Sequence, residues 1–318
     1  MSGILAFAAA PRRSRPGSTA ISLPSSEPAR GAGLAAERIA NHPRLIRCIR
    51  QQASTLLSLH AVNPRIASVF ATQQRWLMAH AALAHYFRGA ALRTGGGLKA
   101  TQFIEAIASH GVASRNTADA FLKEMMKYGH LQNAPAGSDR RTRPLKPTSI
   151  SIEMISAWLA THLATLDMLD GGERRAAFLA RPGAIALIHP FIAEQLLRSA
   201  AIREPAPAFS LFTWLNEGGI VMDWLYAGLA EVAPDCQRIP STVASFADIG
   251  ERINLSRTHL TRKLRMAEDM GNLGWLGARG KSTMWVSAEF VREYHRQQSI
   301  KLAIIDGAFR QAMTPGGR

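Results

Sequence analysis

Cysteine is nearly absent from this chain. Cys48 and Cys236 are its only two, far apart and in no metal-ligand spacing, so neither a disulfide framework nor a cysteine-based zinc site is expected, and a reducing, cytoplasmic setting fits. Long apolar runs are missing too: nothing approaches the roughly 20 residues that span a bilayer, and no membrane partner is expected. The apolar stretch Ile4 to Ala10 is short, has no basic residue before it and is followed by arginines, unlike a secretion signal. Acidic residues are scarce, with 23 Asp and Glu against 38 Lys and Arg, a formal charge of +15 over 318 residues. An excess of that size points to a polyanion whose counterions are released on binding, nucleic acid first among them.

Catalytic and metal motifs are also lacking. The ten histidines form no His-Glu-x-x-His or Cys-and-His cluster; His80 and His85 are five apart and diverge around a helix. No Ser, His and Asp order and no paired-carboxylate site can be singled out, and Asp167 with Asp170 reads as a solvated helix end. Gly280-Lys-Ser282 follows Gly274 with five residues between the glycines where a phosphate loop needs four. The expectation is a protein that is not an enzyme and carries no metal or cofactor.

What is present is helical patterning. Hydrophobic residues make up 47% of the chain and aromatics 7%, and the apolar positions recur at helical spacing, which predicts a mainly α fold with few, short strands. The length exceeds what one core usually serves, so two domains are expected. Residues 1–33, rich in Pro, Ser, Gly and Ala with Arg12, Arg13 and Arg15, read as a flexible basic arm. A first domain with flanking helices follows over 34–170, a helical connector over 171–208, and a second domain with a C-terminal helix over 209–318. Helical pattern runs over Ala35 to Leu59, Val69 to Phe87 (Phe70, Trp76, Leu77, Leu83 and Phe87 on one buried side), Ile152 to Leu169 and Ala288 to Met313 (Tyr294, Leu302, Ile305 and Phe309 buried). Pro182, Gly183 and Pro190 punctuate the connector, and Glu204 to Ala208 reads as stiff.

Within the first domain, Thr101 to His110 predicts a short helix with Phe103, Ile104 and Ile107 inward, then the turn Gly111-Val-Ala-Ser114. Ser114 is a natural N-cap for a helix whose Ala118, Phe121, Leu122 and Met125 pack on the first. Arg115, Asn116, Thr117 and Asp119 then face outward, as a helix entering a major groove requires. Gly129 ends the helix. Leu131 to Thr148 reads as a wing, a turn-rich centre between short strand-capable ends, with Arg140, Arg141, Arg143 and Lys146 suited to phosphates or a narrow minor groove.

Ser114-Arg-Asn-Thr117, the spacing from Leu122 to Gly129-His-Leu131, and Asp139-Arg-Arg141 before Leu145 and Thr148 resemble MarR-type winged-helix regulators. The resemblance implies that Ser114 to Thr117 read the major groove, that Asp139 steadies Arg140 and Arg141, and that one of these arginines enters the minor groove. Where that family often has arginine, this chain has Ala120. The resemblance also implies dimerisation through terminal helices and a small-molecule effector, though no residue identifies one.

The pattern repeats at a constant offset of 142: Ile107 with Ile249, Ser114-Arg115 with Ser256-Arg257, Leu122 with Leu264, Gly129 with Gly271, Leu131 with Leu273. Phe246 and Ile249 fall on the supporting helix, Leu260, Leu264 and Ala267 face the core, and Arg257, Thr258, His259, Thr261, Arg262, Lys263 and Arg265 face outward. Arg262 fills the position that Ala120 leaves empty. The second wing, Leu273 to Val286, carries Arg279 and Lys281. The sequence thus predicts two winged helix-turn-helix modules with short β-wings, braced by long flanking helices, in a sequence-specific regulator of transcription that binds double-stranded DNA. Two rivals share these features: a plasmid or phage replication initiator, and an interaction scaffold, meeting other transcription proteins, that no longer binds DNA.

Overall fold

The computed structural model describes residues 36–62, 72–91, 97–134, 144–213, 218–231, 235–242, 257–279 and 281–313. The basic arm, Phe70, Asp139, Arg140, Arg141, Arg143, Phe246, Ile249 and Ser256 lie outside these residues, as do the side chains of Arg257 and His259.

The architecture is mainly helical, with two small antiparallel sheets. After a short helical turn over 36–40, the order is α1 (Leu45–Val62), α2 (Gln73–Ala91), α3 (Ala100–Ser109), α4 (Arg115–Lys127), β1 (Leu131–Asn133), β2 (Leu145–Pro147), α5 (Ser149–Asp170), α6 (Arg174–Ala180), α7 (Ala184–Arg198) and α8 (Ala200–Arg203). There follow α9 (Pro207–Thr213), α10 (Gly218–Ala227), β3 (Arg238–Ser241), α11 (Arg257–Asp269), β4 (Leu273–Trp275), β5 (Met284–Ser287) and α12 (Ala288–Met313). No described helix is long and apolar enough to cross a membrane.

Local chemistry sets several of these boundaries. Ser287 Oγ accepts the Phe290 N–H at 3.1 Å and caps α12. Gly171, with φ 79°, closes α5 in the left-handed region that glycine adopts without steric cost. Pro190 does not punctuate the chain as the sequence suggests. It sits fully buried inside α7, and Arg88 Nη2 donates to its carbonyl at 3.1 Å. Tertiary packing of α7 on α2, α6 and α12 carries the helix through the lost i→i−4 bond.

One hydrophobic cluster runs from Leu45 to Ala308 and joins every long helix. α1 packs on α5 and α10, and α5 on α6 and α12. Because neighbours surround α5, it buries Thr161, His162 and Thr165 together with Ile155, Leu159, Leu163 and Leu166. It is a core helix, and Trp158 on it is only half-buried. On α2 the buried side is Leu77, Met78, His80, Ala81, Ala82, Ala84 and Phe87, with Trp76 and Leu83 half-buried. On α12, Tyr294, Leu302 and Ile305 are buried as expected while Phe309 is half-buried.

The two sheets share a topology. Leu131 pairs with Pro147 and Asn133 with Leu145, and Leu98 bridges to Leu145 on the far side of β2 through bonds of 2.7 and 2.9 Å. In the second sheet the order is β3-β5-β4, with Leu273 opposite Val286 and Arg238 opposite Ser287. In the first, the segment before α3 adds to the outer edge of β2, and in the second, β3, which precedes α11, adds to the outer edge of β5. Gly274 lies opposite Trp285, and a Cβ there would come within 2.5 Å of the indole ring; the glycine is there for close packing, not for a phosphate.

Histidines that sequence spacing keeps apart meet in the core. His80 of α2 and His189 of α7 stack at 5.0 Å, with His189 Nε2 and His80 Nδ1 3.0 Å apart, and the His162 Nδ1–H donates to the Trp158 carbonyl at 2.8 Å. Burial holds all three well below the ordinary imidazole range, His189 down to about 3. These rings are neutral when folded and take up a proton when unfolded, so the unfolded chain binds more protons as pH falls below the unfolded value near 6.5. Stability is therefore expected to be full above about pH 6.5 and to fall on acidification, by up to about 1.4 kcal/mol per pH unit for each histidine. Urea unfolding at a series of pH values checks this; a curve flat from pH 7 to 5 contradicts it.

Candidate nucleic-acid interface

The turn between α3 and α4 places four consecutive polar side chains in solvent. Ser114 Oγ accepts the Thr117 N–H at 3.2 Å and lies 2.9 Å from Thr117 Oγ1, the predicted N-cap, worth about 1 kcal/mol. Ser114, Arg115, Asn116 and Thr117 are all exposed. The Arg115 side chain retains 67% of its accessible surface, and its ion pair to Glu105 is loose at 4.0 Å. Behind this turn, Ala118, Phe121, Leu122 and Met125 are buried at the anticipated spacing, and Phe121 stacks with Phe103 at 6.2 Å. Arg75 of α2 holds Glu124 at 2.9 Å and lies over the Phe121 ring at 5.7 Å, fixing the helix from the rear.

Asp119 departs from the expected outward set. It is half-buried and bonds Lys123 Nζ at 2.6 Å, so its charge is offset by the i+4 lysine. Ala120 and Lys123 are exposed beside it. Lys146 is half-buried on β2.

α11 repeats the arrangement. Leu260, Leu264 and Ala267 are buried, while Thr258, Arg262 and Arg265 are exposed. Thr261 and Lys263, expected to be outward, are half-buried, because a helix packed on one side exposes only its crest fully. Both helices end alike: Gly129 has φ 74° and Gly271 φ 71°, the His130 N–H bonds the Met125 carbonyl at 2.8 Å, and the Asn272 N–H bonds the Ala267 carbonyl at 2.9 Å. The chain leaving each hairpin returns to the same carbonyl, Thr148 N to His130 O at 3.0 Å and Ser287 N to Asn272 O at 2.8 Å.

The second hairpin is held more tightly than its charge suggested. Arg279 Nη2 reaches back to Glu268 Oε2 of α11 at 2.7 Å, so it ties the hairpin to the helix, and Lys281 stays exposed at the tip. At the base, Arg238 of β3 lies over the Trp285 ring at 4.8 Å. Sequence reasoning missed this third strand: Arg238-Ile-Pro-Ser241 has neither length nor clean alternation, and only its pairing with β5 makes it visible.

The described residues contain no group of three or more His, Cys, Asp or Glu side chains able to hold a metal ion. Comparison with known proteins finds no matching family model, no matching curated protein and no matching solved structure.

Proposed function

We propose that residues 97–148 and 238–287 are two winged helices, and that the chain is a regulator of transcription that binds double-stranded DNA through both. The observation that carries this reading is the exposed polar turn Ser114 to Thr117, on a helix locked from behind by Phe121, Leu122 and Arg75. Such a helix can enter a major groove without reorganising. A net charge of +15 and the like arrangement of α11, with Arg262 and Arg265 exposed, support it.

The two reading turns differ in sequence, Arg115-Asn-Thr117 against Arg257-Thr-His259, so the preferred site is an imperfect palindrome. Footprinting of the purified chain on genomic fragments is expected to protect two successive major grooves, about 34 Å apart. Protection of a single groove would sink the paired geometry. Failure to find any salt-sensitive affinity for duplex DNA would sink the whole reading.

A further inference from the structure

Two carbonyls of the turn between α3 and α4 are bound by side chains from outside residues 97–148. Arg203 of α8 donates from Nη1 to the His110 carbonyl at 2.9 Å, and Gln74 of α2 donates from Nε2 to the Val112 carbonyl at 2.8 Å. The His110 carbonyl stands at the C-terminal end of α3, where a helix has no donor of its own to offer and a cation is favoured. Gly111, between the two, takes φ 66° and reverses the chain. Both bonds therefore act on the few residues that aim Ser114 and the start of α4.

α8 is short, Ala200–Arg203, yet it is gripped from two sides. Gln73, next to Gln74 on α2, donates to the Ile202 carbonyl, and Gln297 of α12 donates to the Ala201 carbonyl at 3.1 Å. A closed ring of hydrogen bonds results, running from α2 through Gln74 to the turn, from the turn through Arg203 to α8, and back from Ile202 to Gln73. Gln297 is the arm that joins this ring to the other half of the molecule. It is buried, its Nε2 also donates to Glu293 Oε1 at 2.9 Å, and α12 leaves directly from β5 of the second hairpin.

We propose that Arg203 and Gln297 are positioning residues for DNA recognition: α8 is a strut through which α12, and with it the second hairpin, fixes the turn from which Ser114 to Thr117 project. Phe121 and Leu122 hold the body of α4 in the core, so loss of the strut frees the turn while leaving the helix packed. The first reading turn then loses its preset direction, and the face of α11 does not. The consequence for DNA rests on the DNA-binding reading; the strut itself does not.

Gln297→Met and Arg203→Met in the full chain test it, beside Arg203→Lys, which keeps a donor. The amides of Val112, Thr117 and Ala118 are bonded to Ile107, Ser114 Oγ and the Ser114 carbonyl. Their hydrogen exchange is expected to quicken about fivefold in both methionine variants, as the loss of one hydrogen bond gives, and less in Arg203→Lys, with the amides of α11 and β4 unchanged. The second measurement is affinity for the footprinted duplex with one half-site scrambled; the half that belongs to α4 is the one whose binding Arg115→Glu removes. For a duplex keeping only that half, both methionine variants are expected to bind about fivefold more weakly, with affinity for the other half alone unchanged. Unchanged exchange at the turn, or equal losses on the two halves, overturns the proposal. Arg203 is half-buried, so Arg203→Met carries the test if the variant at buried Gln297 does not fold. Absence of duplex affinity in the unaltered chain refutes DNA recognition and leaves the exchange result to decide on the strut alone.

Discussion

Replacing Arg115 and Arg262 together by glutamate is expected to weaken duplex DNA binding by roughly 10²-fold or more while leaving the melting temperature unchanged. Both side chains are exposed on the outward crest of their helices, and among the described residues the only ion pair of Arg115 is the long one to Glu105. Neither therefore contributes appreciably to stability. An arginine that meets a base edge or phosphate contributes about 1 to 3 kcal/mol, and losing two lowers the slope of log affinity against log salt by about 2. Fluorescence anisotropy across a salt series reads both quantities. Each single variant should show about half the loss in free energy if the two helices engage one duplex independently. An undiminished affinity in the double variant would mean that these helices do not touch DNA.

The largest effect on stability is expected away from that surface. Asp167 reads in the sequence as a solvated carboxylate at the end of α5, but it caps the next helix: Oδ1 accepts the Arg174 N–H and Oδ2 the Arg175 N–H, both at 2.8 Å. It also meets the Arg174 guanidinium at 3.3 Å. That guanidinium binds Asp170, and its Nε lies 2.9 Å from Asp306 Oδ1 of α12. Asp167→Ala removes two charge-assisted bonds and one ion pair from a site where Asp167 and Arg174 are each only 16% exposed. The expected cost is about 3 kcal/mol, or roughly 5 to 10 °C in melting temperature. Asp167→Asn, which keeps one carbonyl acceptor, should lose about half as much. Asp170→Ala should lose under about 1 kcal/mol, because that carboxylate is 53% exposed. Equal losses for Asp167→Ala and Asp170→Ala in thermal denaturation would show that the cap carries no special weight.

What could be read from the chain and what could not divide along a physical line. Helix spacing, the Ser114 cap and Gly129 as a terminator are local properties, and the structure has all of them. Leu260, Leu264 and Ala267 on one face follow from the same periodicity. Side chains that act across the molecule were not legible. Asp167 meets Asp306 only through Arg174, and His80 meets His189 more than a hundred positions away. Pro190 is tolerated because of what surrounds α7, and Arg279 is drawn back by Glu268. Periodicity shows which side of a helix is apolar; it cannot say that helices cover α5 on most of its circumference, which is why its buried threonines and histidine went unnoticed.

The passage from hairpin to helix has a consequence for any target. β2 ends at Pro147 and α5 begins at Ser149, while β5 ends at Ser287 and α12 begins at Ala288; the two helices then meet through Asp167, Arg174 and Asp306. There is no slack at either junction, so on the DNA-binding reading proposed above the two modules would behave as calipers locked at one opening. Such an instrument would reject a wrong interval as firmly as a wrong letter, and changing the distance between half-sites by a few base pairs is then expected to penalise a target as a mismatch within them does.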